Sequence, residues 1–388
     1  MKKILFLTEE IWSMSKSSGV SSLNRLILKI NSQMCTIVFK PDEYDLKCYC
    51  LKNFKIRKNK FKNRYLNYIF NILISLKLNL DYVISGIKLK EKPDIIYVSS
   101  NLPCLSGFLL SKYYKVPYIQ RQYGTFLYSK LNNIVEKIKY HREVLSFLLP
   151  AQKYIITDDG TYGYEVAKYF NIPDGKILFI RNGIDKMSLD DSIEVRNNII
   201  DRFNLPNNAF IVVSVSRLVK WKRVDRIISA FNGIDDNNVY LFVIGDGDER
   251  NYYESMKKNK NILFLGAITN NEVQQFMKAC NCFVSMYDIS NLGNPLLEAM
   301  AAGKPIITLN NGNTKSVYNG ENMILLPDIS EEEIKKLIIK NILLLKNDNA
   351  YSKKLSNAAY KYAEENILSW DERINIEISQ ILALCGEK

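Results

Sequence analysis

Short, continuously apolar runs of four to eight residues recur along the chain, separated by longer stretches with helical spacing. In the first half they lie at 3–8, 35–40, 94–99, 117–120, 153–157 and 176–180. In the second they lie at 210–215, 239–244, 262–265, 282–285, 305–309 and 323–326. Runs rich in Ile and Val, without polar alternation, are what a parallel sheet covered on both faces requires. Between them the spacing turns helical, as at Val224, Ile227, Ile228 and Phe231, which follow i, i+3, i+4, i+7. Strand–helix alternation six times, then six times again, predicts two doubly wound α/β domains. The break is expected after Asn182-Gly-Ile-Asp185, because 186–208 lacks a strand pattern. The expected domains are 1–187 and 188–367, followed by a helix over 368–388 whose Ser369-Trp-Asp371 start suits an N-cap.

Length and composition agree with this division. At 388 residues the chain exceeds one ordinary core, and 47% apolar with 24% charged residues is the balance of a soluble globular protein. The opening Met1-Lys-Lys-Ile-Leu-Phe-Leu-Thr-Glu9 is basic and then apolar, but Glu9 and Glu10 cut it short, so it reads as a strand rather than an export signal. Seven cysteines form no Cys-x-x-Cys pair, and His141 is the single histidine. A zinc site and a Ser-His-Asp triad therefore find little support, and an odd cysteine count fits a reducing compartment. A cytoplasmic enzyme is expected. The net charge of +12 is uneven: residues 1–190 hold 30 Lys/Arg against 16 Asp/Glu, and residues 191–388 hold 23 against 25. The first half suits something anionic.

Two stretches carry candidate chemistry. In Val213-Ser-Val-Ser-Arg-Leu-Val-Lys-Trp-Lys222, the cations Arg217 and Lys222 follow a buried strand, at the edge where open α/β sheets bind ligands. A guanidinium fork can grip one phosphate while an ammonium acts as a point charge on another. In Ser290-Asn-Leu-Gly-Asn-Pro-Leu-Leu-Glu298, Gly293 permits close approach, Asn294 can cap, and Pro295 suits the first helical position. The free N–H groups of that helix start favour an anion by ~0.3–2 kcal/mol, and Glu298, one turn in, can accept ribose hydroxyls. Solvated cations and a first-turn Glu are the plain alternatives. The combination points to a nucleotide-diphosphate sugar.

These pieces, in this order, resemble the retaining, nucleotide-sugar-dependent glycosyltransferases of family 4. The motifs are Asn182-Gly-Ile-Asp185, Ser216-Arg-Leu218 with Lys222, Ile244-Gly-Asp-Gly247, Phe264-Leu-Gly266 and Gly293-x-Pro-Leu-Leu-Glu-Ala-Met300, and the likeness is best over 175–330. The resemblance implies the GT-B fold, two Rossmann-like domains facing a central cleft with a C-terminal helix crossing back onto the first. It implies Arg217 and Lys222 on the donor diphosphate and Glu298 on the ribose, as the catalytic set. It also implies donor contacts from Gly19, Gly245, Asp246, Gly247, the backbone near Ile268, and the run Ser290, Asn291, Leu292, Gly293 and Asn294. Tyr123 and Gly124 stand on the acceptor side. The implied reaction retains anomeric configuration, with the cations and the helix start stabilising the leaving diphosphate; one such contact is worth ~10²–10³ in rate. No covalent nucleophile or dedicated base stands out, and the departing phosphate is the candidate to take the acceptor's proton.

The departures are specific. The family carries Glu-x7-Glu, and its first Glu falls here on Ser290, with Asp288 nearby as a stand-in. The Gly usual after the phosphate-binding Lys is Arg223, the double glycine of the first loop is Ser18-Gly19, and Tyr123 replaces a common His. Asp246-Gly-Asp248 matches a metal-binding triplet of another fold, but three residues match by chance, so no metal and no cofactor are expected; the nucleotide sugar is a substrate.

Residues 52–64 pack seven cations into 13 positions, among them Lys55, Arg57, Lys58, Lys60, Lys62 and Arg64, interleaved with Phe54, Ile56 and Phe61. An anionic bilayer surface, nucleic acid or plain solvent suits such charges. The reading adopted is a membrane surface and no nucleic acid, placing the enzyme in the cytoplasm, peripheral on the inner face of the membrane. The stripe that follows, with Leu66, Ile69, Phe70, Leu73 and Ile74, reads as core. The leading expectation is transfer of a sugar to a glycan or glycolipid acceptor, lipid-linked, in surface polysaccharide assembly. The other classes are an inactive GT-B subunit binding nucleotide or glycan, and a nucleotide-sugar epimerase, which would need carboxylates and a histidine not placed here.

Overall fold

The computed structural model describes residues 2–8, 18–31, 35–38, 47–48, 64–187 and 189–386. The chain forms two compact units, one of Met1–Asn182 with Asp371–Lys388, the other of Gly183–Trp370. The divisions fall at 182/183 and 370/371, against the expected 187/188 and 367/368. Backbone pairing accounts for the shift: Ile184 N–H donates to Leu368 O at 3.0 Å and Trp370 N–H donates to Ile184 O at 3.1 Å, tying both segments together.

The first unit runs β1 (Lys3–Thr8), α1 (Ser18–Asn31), β2 (Cys35–Val38), β3 (Lys47–Cys48), α2 (Arg64–Ile87), β4 (Ile95–Ser99), α3 (Cys104–Tyr114) and β5 (Tyr118–Gln122). It continues with α4 (Ile134–Lys139), α5 (His141–Leu148), β6 (Lys153–Thr157), α6 (Gly163–Tyr169) and β7 (Ile177–Ile180). Its sheet is parallel, in the order β3-β2-β1-β4-β5-β6-β7. All six expected runs are strands; β3, two residues long, is an addition that no apolar run marked. On one face Leu5, Leu7, Ile96, Val98, Tyr118 and Ile156 pack with Tyr82, Leu110 and Phe147 from α2, α3 and α5.

The second unit runs α7 (Ser192–Arg202), β8 (Phe210–Val215), α8 (Val224–Phe231), β9 (Val239–Ile244), α9 (Arg250–Met256), β10 (Ile262–Gly266), α10 (Asn270–Ala279) and β11 (Cys282–Ser285). It closes with α11 (Asn294–Ala301), β12 (Ile306–Leu309), β13 (Ile324–Leu326), α12 (Glu331–Asn347) and α13 (Asn349–Asn366). The sheet order is β10-β9-β8-β11-β12-β13, again parallel. Alternate strand residues feed two cores. Val213, Phe242, Ile244 and Phe283 meet Phe276, Leu296 and Met300 of α10 and α11. Val212, Leu241, Val243 and Val284 meet Ile227, Phe231, Ile334 and Ile338 of α8 and α12. Burial on both faces explains why these strands are apolar throughout.

The last helix, α14 (Trp370–Gly386), supplies Arg373 and Glu377 to the first unit. There Glu377 accepts hydrogen bonds from Tyr97 Oη, Arg121 Nη1 and Arg373 Nη1, all in residues at most 2% exposed. Burial, and next the charge of Arg121, pulls the Arg373 pKa down to about 9.

Candidate functional site

In the second unit the strand order reverses between β8 and β11, and ligands of open α/β sheets bind outside the carboxyl ends at such a point. The chain leaving β8 stays extended: Ser216 N–H donates to Ile244 O at 3.0 Å and Leu218 N–H to Asp246 O at 2.9 Å. The run Gly245-Asp246-Gly247 backs this segment. Gly245 has φ +130°, and a Cβ there would fall 1.8 Å from Ser216 O, so only glycine allows the approach. Between Ser216 and the fully buried Leu218, Arg217 projects into solvent, its guanidinium making no hydrogen bond or ion pair with the described residues.

Lys222 ends a short 3-10 turn over Lys220–Lys222. Its Nζ lies 3.6 Å from the ring centroid of Tyr287 and 4.0 Å from that of Trp221. Such a cation–π contact is worth ~0.5–2 kcal/mol and holds the ammonium in one place. Tyr287 is itself fixed. Its hydroxyl donates to Val215 O at 2.9 Å, its N–H donates to Asn291 Oδ1 at 3.0 Å, and its carbonyl accepts from Asn311 Nδ2. Burial raises its pKa, so the phenol keeps its proton.

Arg223 follows with φ +46°, a left-handed position, which accounts for a glycine at this point in the family it resembles. Its side chain is tied to Asp225 and, at 3.0 and 2.9 Å, to Asp288 and Glu331. Asp288 is also 3.0 Å from Arg226 Nη1. The expected stand-in carboxylate is thus held by two arginines. At Ser290, 6% exposed, the hydroxyl accepts from Leu292 N–H at 3.1 Å.

The helix start differs by one residue from expectation. Gly293 is the N-cap, in extended backbone, and Asn294 and Pro295 already lie in the first turn, with no side chain capping. A Cβ at Gly293 would meet only Pro295 Cδ, at 3.8 Å, so the glycine leaves room in front of the helix rather than relieving a clash. Glu298 lies in the next turn, partly buried. Asn291 and Leu292 turn inward. Asn291 Nδ2 donates to Asn311 Oδ1 at 2.9 Å and its N–H to Thr314 Oγ1 at 2.9 Å, pinning the loops after β11 and β12, while Leu292 joins the core. Ile268, just past β10, packs partly buried on the same core. Asp246 pairs with Arg250 at 3.3 Å and Asp248 is exposed. Among the described residues no three or more His, Cys, Asp or Glu side chains come together as metal ligands would.

Arg217, Lys222, Gly245, Asp246, Gly247, Ser290, Gly293, Asn294 and Glu298 therefore share the carboxyl edge of one sheet. Sequence reasoning missed Trp221, Tyr287, Asn311 and Thr314. Trp221 carried a signal, an aromatic beside the candidate lysine; Tyr287 reaches it only through folding.

In the first unit, Tyr123 Oη lies 2.7 Å from Ser99 Oγ, with Arg121 4.8 Å above its ring. Gly124 runs against Asp159, whose carboxyl burial pushes up to about 7. Gly19 lies inside the first turn of α1 rather than in the loop before it. Lys55, Arg57, Lys58, Lys60 and Lys62 lie outside the described residues; Arg64 opens α2. His141 sits on the α2 side of the unit, its Nε2 3.0 Å from Ser75 Oγ.

Comparison with solved structures identifies the class of fold. HepE from Anabaena, in complex with UDP and glucose, superposes with a TM-score of 0.71 at 17% identity, over 99% of this chain and 100% of that one. The chain has the GT-B fold, built on two parallel α/β sheets. The model of the family described as "Glycosyl transferases group 1" matches residues 195–362, a segment containing all the candidate residues at the carboxyl edge of the second sheet and none of those in the first unit. An uncharacterized glycosyltransferase of Methanocaldococcus jannaschii is 26% identical over 249 residues, 61% of this chain and 62% of the relative. The O-antigen biosynthesis glycosyltransferase WclY of Escherichia coli is 27% identical over 147 residues, 37% of this chain and 40% of the relative.

Proposed function

We propose that the chain is a retaining glycosyltransferase moving a sugar, a hexose or a related one, from a nucleotide-diphosphate donor to a glycan acceptor. The observation that carries this is the pair of cations at the β8/β11 edge: Arg217 open to solvent and Lys222 fixed by Trp221 and Tyr287. In the reaction the bond from anomeric carbon to diphosphate oxygen breaks, leaving negative charge on the diphosphate and positive charge on the sugar ring. Arg217 and Lys222 hold the diphosphate, with the start of α11 adding its dipole, and Glu298 holds the ribose. The acceptor hydroxyl attacks from the same face, and its proton passes to a departing phosphate oxygen, so no metal or separate base is needed. A lipid-linked acceptor in surface polysaccharide assembly, met in the cytoplasm at the inner membrane face, suits the O-antigen relative and the basic first half.

A thermal-shift series with UDP, GDP, ADP and their common sugars, on wild type and Arg217→Ala, tests the site. A nucleotide at 100 times its Kd adds ~2.7 kcal/mol. One nucleotide is expected to stabilise the wild type and not the variant; no shift with any nucleotide sinks the reading. The capture of Asp288 by Arg223 and Arg226, with only a hydroxyl at Ser290, favours a second reading, a catalytically idle nucleotide-binding subunit. Turnover of donor by the pure protein separates the two, and an α-linked product from an α-linked donor establishes retention.

A further inference from the structure

Helix α2 carries a row of apolar residues on its outside. Leu66, Ile69, Leu73, Leu76, Leu80 and Ile84 form one stripe at three- and four-residue spacing, each 43–58% exposed. Their periodicity predicts a core-facing stripe; the structure turns it over. The inward face buries Leu78 and Tyr82 in the core and, beside them, Ser75 and Asn79, both 5% exposed. Asn79 Nδ2 donates to Leu102 O at 2.9 Å, its Oδ1 accepts from Ser106 N–H at 2.9 Å, and Ser75 Oγ accepts from Arg142 Nε at 2.7 Å. With its polar groups satisfied inside the protein and a row of leucines and isoleucines facing outward, the outer face lacks most of the polar cover of a helix solvated by water and suits a hydrocarbon boundary.

From Tyr65 to Ile87 the helix holds only two charges, Lys77 and Asp81, and its mean hydropathy reaches 1.2. In length it could cross a bilayer, but its inner face is fastened to the sheet: Tyr82 Oη donates to Thr8 O at 2.6 Å and Tyr114 Oη to Gly86 O at 2.6 Å. The opposite face carries the exposed stripe. A coiled-coil pairing with a second copy would call for charges flanking the stripe, and two are too few. Nearby, where His141 Nε2 meets Ser75 of α2 at 3.0 Å, α4 exposes Ile134, Ile138 and Lys139. In sequence, the seven cations of 52–64 lead directly into the helix.

We propose that the outer face of α2 lies in the headgroup–acyl boundary of an anionic bilayer, the helix parallel to the surface, with Lys77 of α2 and Lys139 of α4 on acidic headgroups. This goes beyond the transfer reading and does not rest on it, because vesicle binding is measured without donor. The test is co-sedimentation of the full chain with vesicles of phosphatidylcholine, with and without about 30 mol% phosphatidylglycerol. The comparison is with Leu73→Asn/Leu80→Asn, two exposed positions that leave the core intact. Wild type is expected in the pellet with anionic vesicles, and the variant's partition constant is expected to fall at least ~10-fold. A separate variant, Leu73→Trp, is expected to gain fluorescence quenching by doxyl-labelled lipid over the wild-type level, a readout that needs no loss of function. Wild type remaining in the supernatant overturns the proposal, as does undiminished binding by a folded double variant. A wild-type dimer that the double variant turns into a monomer, without vesicle binding, assigns the face to a second copy. Resistance of the membrane-bound chain to alkaline carbonate assigns α2 as a spanning helix and equally overturns a surface location.

Discussion

Replacing Tyr287 tests whether the aromatic cradle, rather than the lysine's charge alone, makes the phosphate site. Tyr287→Leu removes the ring 3.6 Å below Lys222 Nζ and the hydroxyl on Val215 O, while the N–H to Asn291 remains. Without the ring, Lys222 samples its rotamers, and a bound diphosphate must order it at up to ~1–2 kcal/mol. Nucleotide affinity should then weaken by ~5–30-fold. The shortened side chain also leaves a void costing ~2–4 kcal/mol of stability, so circular dichroism must first establish that the variant is folded at the assay temperature. Tyr287→Phe is the control: it keeps the ring and loses one hydrogen bond, so stability drops by ~1 kcal/mol while affinity stays within about 2-fold. Isothermal calorimetry with the nucleotide that stabilises the wild type measures both at constant ionic strength. If the leucine variant binds as tightly as wild type, or the phenylalanine variant weakens equally, the cradle plays no part in binding.

Two further outcomes follow from the first unit. The buried Glu377 balances two guanidinia, so Glu377→Gln leaves an uncompensated pair and should cost ~3–5 kcal/mol in chemical denaturation, whereas Arg373→Met leaves the Arg121–Glu377 pair intact and should cost markedly less; equal losses would mean that charge balance is not what matters there. The Asp159 carboxyl has a folded pKa of about 7, raised mainly by burial above its ordinary value near 4. Between those values the folded state binds more protons than the unfolded one, so stability falls as pH rises from about 4 to about 7 and levels off above. Asp159→Asn should flatten that part of a melting-temperature profile, and an unchanged slope would remove Asp159 as its source.

Most strands were legible because burial on both faces writes itself as an unbroken apolar run, as at Phe210–Val215 and Val239–Ile244. Lys47–Cys48 was not, since two residues at a sheet edge carry no such run. Periodicity also located α2 but could not say which way its stripe points. That depends on whether Asn79 finds Leu102 O and Ser106, partners more than 20 residues away. At the site, Arg217, Lys222 and Glu298 stood out by residue type and company. The partnership of Lys222 with Tyr287, and of Asp288 with Arg223 and Arg226, joins segments about 65 residues apart and exists only once β8 and β11 lie side by side. The left-handed backbone at Arg223 was hidden too, because an arginine there gives no sign of a position where glycine is the easier choice.

The passage of α14 to the first unit has a consequence for how the chain is made. Arg121 is synthesised early, yet its carboxylate partner Glu377 emerges only after all of Gly183–Trp370. At ~5–20 residues per second, the 256 residues between them take roughly 13–50 s, during which β5 holds a cation with no counter-charge to bury. The second unit is contiguous and can close first. The first unit, although it leads the sequence, acquires its native interior last, and until then it offers a growing cell an unfinished, basic and apolar surface that a chaperone could hold.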